Sequence, residues 1–217
     1  MEFFRNRVDA GKLLAKALQE IVDNSAIVLA IPRGGVVVGF QVASAIDMPL
    51  DLIIPRKLGA PGNPELAFGA VTEDGTVILD DELVKHLGVS KEYIKEECKT
   101  QRSEIERRLK LYRGNLPYPK LQDLQVIIVD DGVATGSTMK AAVLSVRRRK
   151  ANNVIVAIPV GPSLTVEELE KQADQVVCLH KPEPFYAIGE FYENFDQTTD
   201  EEVRNLLRIR RQESTRA

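Results

Sequence analysis

The chain has 217 residues, of which 44% are hydrophobic and 28% are charged, and this composition is ordinary for a soluble globular protein. A formal net charge of −3 excludes an overall basic field that would attract nucleic acid or anionic membranes. The two cysteines and two histidines lack metal-ligand spacing, and no apolar stretch approaches the ~18 residues of a membrane helix. We therefore expect one cytoplasmic domain over residues 1–217, with no membrane contact and with nucleic acid disfavoured as a partner.

The first part of the chain alternates helical and strand patterns. Residues 8–22 have apolar side chains at helical spacing, and the apolar run 26–32 is typical of a strand buried on both faces. A helix is predicted over 34–46 and a second strand over 50–55. The Gly- and Pro-rich stretch 56–71 then predicts a long mobile loop.

The middle of the chain predicts a hairpin followed by a long helix. Residues 69–80 are typical of a β-hairpin that turns at 73–75, where the backbone needs positive φ. Residues 90–113 carry a narrow apolar stripe between charges, which predicts a helix that projects from the body and covers one side of it. With its flanks it makes a predicted helical insertion over 81–118.

The second half returns to short apolar runs alternating with amphipathic segments. The predicted strands lie at 125–131, 153–161 and 175–179. The predicted helices lie at 138–149, at 163–173 and from 199 onwards. Ser163 or Thr165 is expected to cap the second of these helices and Thr199 or Asp200 the third, and 212–217 is expected to be a disordered tail.

Repeated strand–helix alternation predicts an α/β fold with a mainly parallel sheet in a three-layer, Rossmann-like arrangement. Ligands bind to such sheets outside the carboxyl ends of the strands. The loops at those ends read PRGG, PRK, DDGVATGST and PVGPS. We therefore expect these four loops to converge on one crevice.

A phosphate-binding loop is predicted in the sequence VIIVDDGVATGST, residues 126–138. Small and hydroxyl side chains that lead into a helix leave backbone N–H groups free to bind an anion. Asp130 and Asp131 would repel a phosphate, so these acids are predicted to hold sugar hydroxyls or a metal ion. The alternative is a solvated acidic strand end beside a capped helix.

The same motif resembles the phosphoribosyl pyrophosphate signature of type I phosphoribosyltransferases, an apolar strand followed by two acids, small residues and T-G-x-T. The stretches IPRGG, PRKLGAPGNPELAFGAV and PFYAIGEFYENF are similar to a broad, poorly characterised branch of that family, so the resemblance covers nearly the whole chain. It implies the type I phosphoribosyltransferase core with a small C-terminal hood-like segment over 180–198.

The resemblance also implies two adjoining substrate sites. The ribose 5-phosphate site would consist of Asp130, Asp131, Gly132, Val133, Ala134, Thr135, Gly136, Ser137 and Thr138. The pyrophosphate site would consist of Arg33, Gly34, Gly35, Arg56 and Lys57. The acids and the three cations of these sites are the candidate catalytic residues, although each cation could instead be a solvated surface charge.

The implied reaction transfers the 5-phosphoribosyl group from phosphoribosyl pyrophosphate to a nitrogenous base or amine and releases pyrophosphate. Mg²⁺ is the expected cofactor, bound mostly by substrate oxygens, with Asp130 or Asp131 as a candidate protein ligand. Residues 58–66 are predicted to close as a lid that excludes water, and an ordinary surface loop is the alternative. The expected partners are phosphoribosyl pyrophosphate, a small nitrogenous acceptor and a second copy in a homodimer.

The acceptor is the least defined part of this prediction. Family members that use 6-oxopurines carry an aspartate where this chain has Ala134, which argues against hypoxanthine and guanine. Phe185, Tyr186 and Tyr192 could stack on a flat base, or they could pack in the core. A regulatory protein of the same fold, which senses phosphoribosyl pyrophosphate and binds RNA or DNA, is the alternative function; a sugar-phosphate hydrolase would need a nucleophile that the sequence does not reveal.

Overall fold

The computed structural model describes residues 4–214, which contain eight strands and seven α-helices. The strands are β1 (Ala26–Ala30), β2 (Leu50–Leu52), β3 (Arg56–Ala60), β4 (Asn63–Val71), β5 (Val77–Leu79), β6 (Gln125–Val129), β7 (Asn153–Val160) and β8 (Gln175–His180). The helices are α1 (Arg7–Leu18), α2 (Gly34–Ala45), α3 (Asp81–His86), α4 (Lys91–Arg113), α5 (Ser137–Arg148), α6 (Ser163–Glu170) and α7 (Asp200–Ser214), and a 3₁₀ turn covers Ile188–Phe191. Within the described range no helix is both long and apolar enough to cross a membrane.

The centre of the molecule is a parallel sheet of five strands in the order β2-β1-β6-β7-β8. Successive side chains of a strand point to opposite faces, so Val28 of β1 and Ile127 of β6 pack with α1, α2 and α7. Leu29 and Ile128 pack on the other face with α5 and α6. Two apolar layers therefore enclose one buried sheet, and the predicted three-layer α/β fold is confirmed.

Residues 56–71 form β3 and β4, so the prediction of a long mobile loop there is wrong. β3, β4 and β5 make a separate antiparallel sheet, and the turn between β3 and β4 uses Gly62 with φ of 74°. The Tyr93 hydroxyl of α4 donates to the carbonyl of Gly59 at 3.0 Å, and Leu58 and Phe68 are fully buried. Glycine and proline signalled a loop locally, but pairing between strands and burial of the apolar side chains outweigh that preference.

The turn of the second hairpin is as predicted. Thr72 N–H donates to the carbonyl of Thr76 at 3.0 Å, and Gly75 has φ of 82°, the positive value that the turn needs. Asp74 accepts hydrogen bonds from the hydroxyls of both threonines. The turn is thus closed by side chains as well as by the backbone.

The long helix α4 begins as predicted, because the Ser90 hydroxyl oxygen accepts a hydrogen bond from Tyr93 N–H at 3.1 Å. It does not project from the body. Its buried residues Ile105 and Tyr112 join the same core cluster as α1, α2 and α7. α3 and α4 occupy the predicted helical insertion, 81–118, whose role as a separate part of the domain stays a prediction.

Two details of the C-terminal half differ from the sequence prediction. Pro162 occupies the N-cap position of α6, so neither predicted residue caps that helix. Thr199 does cap α7, since its hydroxyl oxygen accepts from Glu202 N–H at 3.1 Å. α7 continues to Ser214, so residues 212–214 of the predicted disordered tail are helical, and 215–217 lie outside the described residues.

Candidate active site

The candidate site is a cavity of about 500 Å³ at the carboxyl end of the central sheet. Three of the four predicted loops meet at this cavity, because parallel strands place their carboxyl ends on the same edge. Its lining includes Pro32 after β1, Arg56 and Lys57 at the start of β3, and Asp130 and Thr138 from the segment after β6.

The paired acids lie against the glycines that begin α2. A Cβ on Gly34 would lie 1.9 Å from Asp131 Oδ2, and a Cβ on Gly35 would lie 2.8 Å from Asp130 Oδ1. No real side chain tolerates such distances, so both positions need glycine for close packing. The PRGG loop and the acid pair are therefore one packed unit, and the peptide bond between Pro32 and Arg33 within it is cis.

The two acids have different surroundings. Burial, reinforced by the negative charge of Asp131, raises the pKa of Asp130 well above its usual range. The N–H of Asp131 donates to Asp130 Oδ1 at 2.8 Å. A carboxyl group in this position can both donate to and accept from a sugar hydroxyl.

Asp131 is bound by an arginine that the sequence prediction missed. Arg7 Nε donates to Asp131 Oδ2 at 2.7 Å, and Arg7 Nη1 donates to the carbonyl of Asp196 at 2.7 Å. The guanidinium also lies 3.8 Å from the centroid of the Phe195 ring. Because 124 positions separate Arg7 from Asp131, no local motif could have signalled this contact.

The turn between β6 and α5 has the geometry of an anion-binding loop. Gly136 precedes α5 with φ of 74°, a value that favours glycine. The hydroxyls of Thr135 and Ser137 lie 3.2 Å apart, next to the first N–H groups of α5, which have no partner within the helix. The Thr165 hydroxyl of α6 fixes the turn by donating to the carbonyl of Ala134 at 2.8 Å. These groups together can bind a phosphate.

The first residues of this turn face the protein. Val133 is buried, and its N–H donates to the carbonyl of Val160 at 2.9 Å. A Cβ on Gly132 would lie 2.6 Å from the side chain of Ile188. Among the predicted ribose 5-phosphate residues, Gly132 and Val133 therefore shape the loop, whereas Thr138 lines the candidate cavity and Thr135 and Ser137 line the neighbouring one. Val160 is the second residue of the fourth predicted loop, PVGPS, so this loop packs against the turn.

The long helix α4 contributes polar side chains that the sequence prediction also missed. Glu97, Gln101 and Arg108 line the cavity, and Arg56 Nε donates to Gln101 Oε1 at 2.8 Å. Burial and the nearby charge of Arg108 lower the pKa of Arg56. Because Arg108 also pairs with Glu104 and Glu97 lines the cavity, Arg56 lies among charges of both signs.

The other two predicted cations are placed differently from Arg56. Arg33 Nη1 lies 3.7 Å from Asp200 Oδ1, so it has an acidic partner in the absence of a ligand. Lys57 is exposed and lines the candidate cavity. It also lines a neighbouring cavity of about 560 Å³, which lies between strands β4 and β5 and the turn between β6 and α5. A ligand anion could therefore meet Lys57 from either cavity.

The aromatic segment near the C-terminus does not present three rings to a ligand. Tyr192 is only 6% exposed, and its hydroxyl donates to the carbonyl of Asp131 at 2.6 Å. Phe185 stacks on Phe191 with ring centroids 5.3 Å apart, while Tyr186 is 78% exposed. The buried position of Tyr192 does not fit the predicted stacking on an acceptor, because the ring packs in the core.

The acid pair fits Mg²⁺ only with oxygen atoms from a substrate. Carboxylate oxygens are suitable donors, but Asp131 Oδ2 already binds Arg7. Among residues 4–214, no group of three or more His, Cys, Asp and Glu residues could hold a metal ion by itself. Asp130 is the acid not bound to Arg7, but Mg²⁺ would have to displace the proton that burial favours on its carboxyl group.

A parallel sheet whose central strand ends in two acids and an anion-binding turn, with cations across a cavity, defines the phosphoribosyltransferase class of α/β proteins. This chain belongs to the phosphoribosyl transferase domain family, because the family model matches residues 6–195. The acid pair, the turn and the PRGG loop all lie within the matched range.

Similar proteins agree with this assignment. Two Mycobacterium tuberculosis proteins, each named "Putative phosphoribosyl transferase" (MT0597 and Rv0571c), are 42% identical over 203 residues, covering 94% of this chain and 46% of their own length. The chain thus spans about half the length of these curated relatives. The crystal structure of the Thermus thermophilus protein TT1426 is 40% identical with a TM-score of 0.81, and the match covers 94% of this chain and 97% of that one.

Proposed function

We propose that this protein transfers the 5-phosphoribosyl group from phosphoribosyl pyrophosphate to a nitrogenous base or amine and releases pyrophosphate. The observation that carries the proposal is the placement of Asp130 and Asp131 between the anion-binding turn that precedes α5 and the PRGG loop. A sugar with phosphates at both ends needs hydroxyl acceptors in the middle and anion sites on either side. Asp130, Thr138, Arg56 and Lys57 line the candidate cavity, and Thr135 and Ser137 line the neighbouring one, which supports this order of groups.

Each part of the donor has a candidate site. The hydroxyls of Thr135 and Ser137 and the N-terminal amides of α5 would hold the 5-phosphate, and the acids would hold the ribose hydroxyls. Arg56 and Lys57, joined by Arg33, would stabilise the negative charge that develops on the leaving pyrophosphate. Mg²⁺, when bound, would add positive charge to the pyrophosphate oxygens.

The β3–β4 hairpin is the proposed lid. Water in the cavity would hydrolyse the activated sugar, so the site must be covered during transfer. Gly59 and Pro64 of the hairpin line the cavity, and the hairpin is attached to α4 through Tyr93 and through Glu97, which accepts from Gly59 N–H at 3.3 Å. A small motion of the hairpin relative to α4 would open and close the entrance.

The proposed acceptor is a nitrogenous base or amine. Ala134 is exposed at the turn. The family resemblance implies an aspartate at this position in proteins that use 6-oxopurines. We therefore propose a nitrogenous acceptor that is not a 6-oxopurine. A cytoplasmic location, a homodimer and a place in nucleotide metabolism are parts of the same proposal.

The regulatory alternative has no observation in its favour. A nucleic-acid face would need arginines free to contact phosphates. Arg107 and Arg108 bind Glu104, Arg147 binds Asp174, and Arg149 binds Glu73. These pairs remove much of the positive charge that such a face requires.

The test is donor binding followed by acceptor-dependent turnover. We expect phosphoribosyl pyrophosphate with Mg²⁺ to raise the melting temperature, because a ligand that binds only the folded state stabilises it. Asp131→Asn should weaken donor binding at least about tenfold through loss of charged hydrogen bonds, whereas Asp123→Asn, a surface control, should not. Pyrophosphate release should appear only with a suitable base or amine.

Two results would overturn this function. One is the absence of any donor binding by the wild-type protein. The other is equal donor affinity in wild type and Asp131→Asn, since the acid pair would then take no part in holding the sugar.

A further inference from the structure

Asp131 is held from two directions by residues near opposite ends of the described chain. Its carboxylate accepts from Arg7 Nε at 2.7 Å, and its backbone carbonyl accepts from the Tyr192 hydroxyl at 2.6 Å. Arg7 lies in the first turn of α1, and Tyr192 follows the 3₁₀ turn near the C-terminus. The acid is therefore fixed at both its side chain and its main chain.

The Arg7 guanidinium is held by contacts on several sides. The side chain is 12% exposed, it lies over the Phe195 ring, and its second donor binds the carbonyl of Asp196. A Cβ on Gly34 would lie 2.5 Å from Arg7 Nε. Such a planar cation with two separate acceptors and a ring beneath it has little freedom to move, since each of the three contacts restrains a different part of the group.

The charge of Arg7 matters because the expected ligand is strongly anionic. The negative charge of Asp131 beside a sugar carrying phosphates would oppose its binding, and the opposition grows when water is displaced from the cavity. An ion pair that is mostly buried is screened less than one at the surface. Arg7 and Asp131 pair directly beside Asp130, and neither is among the residues that line the cavity, so Arg7 can offset that charge without occupying the space of the sugar.

We propose that Arg7 is a positioning residue of the ribose 5-phosphate site, which holds the Asp131 carboxylate in place and offsets its negative charge. The inference rests on the proposed function, because it takes the acid pair as the sugar-binding group. It also gives the aromatic segment a role other than contact with the acceptor. Tyr192 and Phe195 support the acid and its arginine.

Ribose 5-phosphate and inorganic pyrophosphate are the two probes of the test, measured by calorimetric titration in the presence of Mg²⁺. Arg7→Gln should weaken ribose 5-phosphate binding about 10- to 100-fold, the effect of losing a charge-assisted hydrogen bond. Pyrophosphate, which would bind at the PRGG loop and Arg56, should keep its affinity within about twofold. General damage to the fold would weaken both ligands together.

Arg5 provides a matched control on the same end of the chain. It is also paired with an aspartate, Asp9, but its side chain is 75% exposed. Arg5→Gln should leave both affinities within about twofold of wild type. Arg7→Lys, which keeps the charge but not the fork, should fall between wild type and Arg7→Gln.

A double variant tests whether Arg7 acts through Asp131. If it does, Arg7→Gln combined with Asp131→Asn should bind ribose 5-phosphate no more weakly than Asp131→Asn alone, because partners in one contact are not additive. If Arg7→Gln does not fold, Phe195→Leu removes the ring beneath the guanidinium, which also packs on Tyr192, and should weaken ribose 5-phosphate binding a few-fold.

The outcomes separate this inference from the function on which it rests. Equal ribose 5-phosphate affinity in wild type, Arg7→Lys and Phe195→Leu overturns the role of Arg7 while the function stands. Parallel loss of pyrophosphate and ribose 5-phosphate binding in Arg7→Gln also overturns it. A wild-type protein that binds neither probe overturns the proposed function itself.

Discussion

Gly34 leaves the space into which the carboxylate of Asp131 fits. Its missing Cβ would lie 1.9 Å from Asp131 Oδ2, so any side chain there must displace the acid. The sequence prediction assigned the glycines of this loop to the approach of a pyrophosphate, and the close contact with the acids gives them a second physical reason.

Gly34→Ala should therefore weaken ribose 5-phosphate binding at least about tenfold, since the displaced carboxylate can no longer meet the sugar hydroxyls. Gly88→Ala is the matched control. Gly88 has φ of 62° with open space around its Cβ position, so alanine there should lower the free energy of unfolding by about 1 kcal/mol and leave binding unchanged. Titration with ribose 5-phosphate and urea unfolding of both variants distinguish the two effects. Unchanged affinity in Gly34→Ala would show that the acid tolerates displacement.

Residue-level prediction was possible where the signal was local. The acids, the small residues and the hydroxyls of 130–138 are adjacent in sequence, so a binding role for them could be predicted from their types alone, and that role stays a prediction. Arg7 could not be predicted in the same way, because nothing near it in sequence marks its contact with Asp131. The same limit applies to Gln101, which meets Arg56 only after α4 has packed against β3.

At the level of elements, burial on both faces made the central strands predictable. β1 and β6 are entirely buried, so their apolar runs carry a strong signal. The glycines and prolines of the β3–β4 hairpin favour a loop in the local sequence. Its two strands nevertheless pair with each other and with β5, and the hairpin packs on α4. The helix caps show a similar division, because Thr165 has the chemistry of a cap but uses its hydroxyl on the carbonyl of Ala134.

Removing one hydroxyl group should weaken the contact between the β3–β4 hairpin and α4. Tyr93→Phe removes the hydroxyl that donates to the carbonyl of Gly59, and the loss should cost about 0.5–1.5 kcal/mol. Because the hairpin forms its own sheet, we expect faster hydrogen exchange at residues 58–66, with little change at β1 and β6. Tyr186→Phe, at an exposed ring, serves as the control. Equal exchange rates at 58–66 in Tyr93→Phe and wild type would mean that this bond does not restrain the hairpin.

For the whole molecule, the topology explains why distant parts of the chain share one site. A parallel sheet brings the ends of β1 and β6 to one edge, α2 and α5 then start at that edge, and Arg7 of α1 meets Asp131 together with the segment that contains Tyr192 and Phe195. The antiparallel sheet and α4 cover the opposite side of the cavity. The sequence could predict the first part from periodicity, whereas these contacts to Asp131 depend on packing between layers.

Buried thiol and phenol groups should make the free energy of unfolding decrease at high pH. Burial raises the pKa of the Cys178 thiol from 9.0 to about 11, and burial with the Asp200 hydrogen bond raises the pKa of Tyr112 to about 12. The pKa of Tyr192 is also raised, by burial and by the charge of Asp131. A group whose pKa is higher in the folded state keeps its proton there while the unfolded chain releases it. The stability it contributes is therefore complete below the unfolded pKa and is lost as pH rises through the folded value.

We expect the free energy of unfolding to fall between pH 9 and pH 11 by up to about 1.4 kcal/mol per pH unit from Cys178, with Tyr112 adding to the fall above pH 10. Urea unfolding across this range measures the slope. Cys178→Ala should lower stability at every pH but make the slope shallower, because the thiol proton is gone. Val177→Ala, a packing change on the same strand, should lower stability without altering the slope. Parallel slopes in wild type and Cys178→Ala would show that the thiol does not hold its proton more tightly in the folded chain.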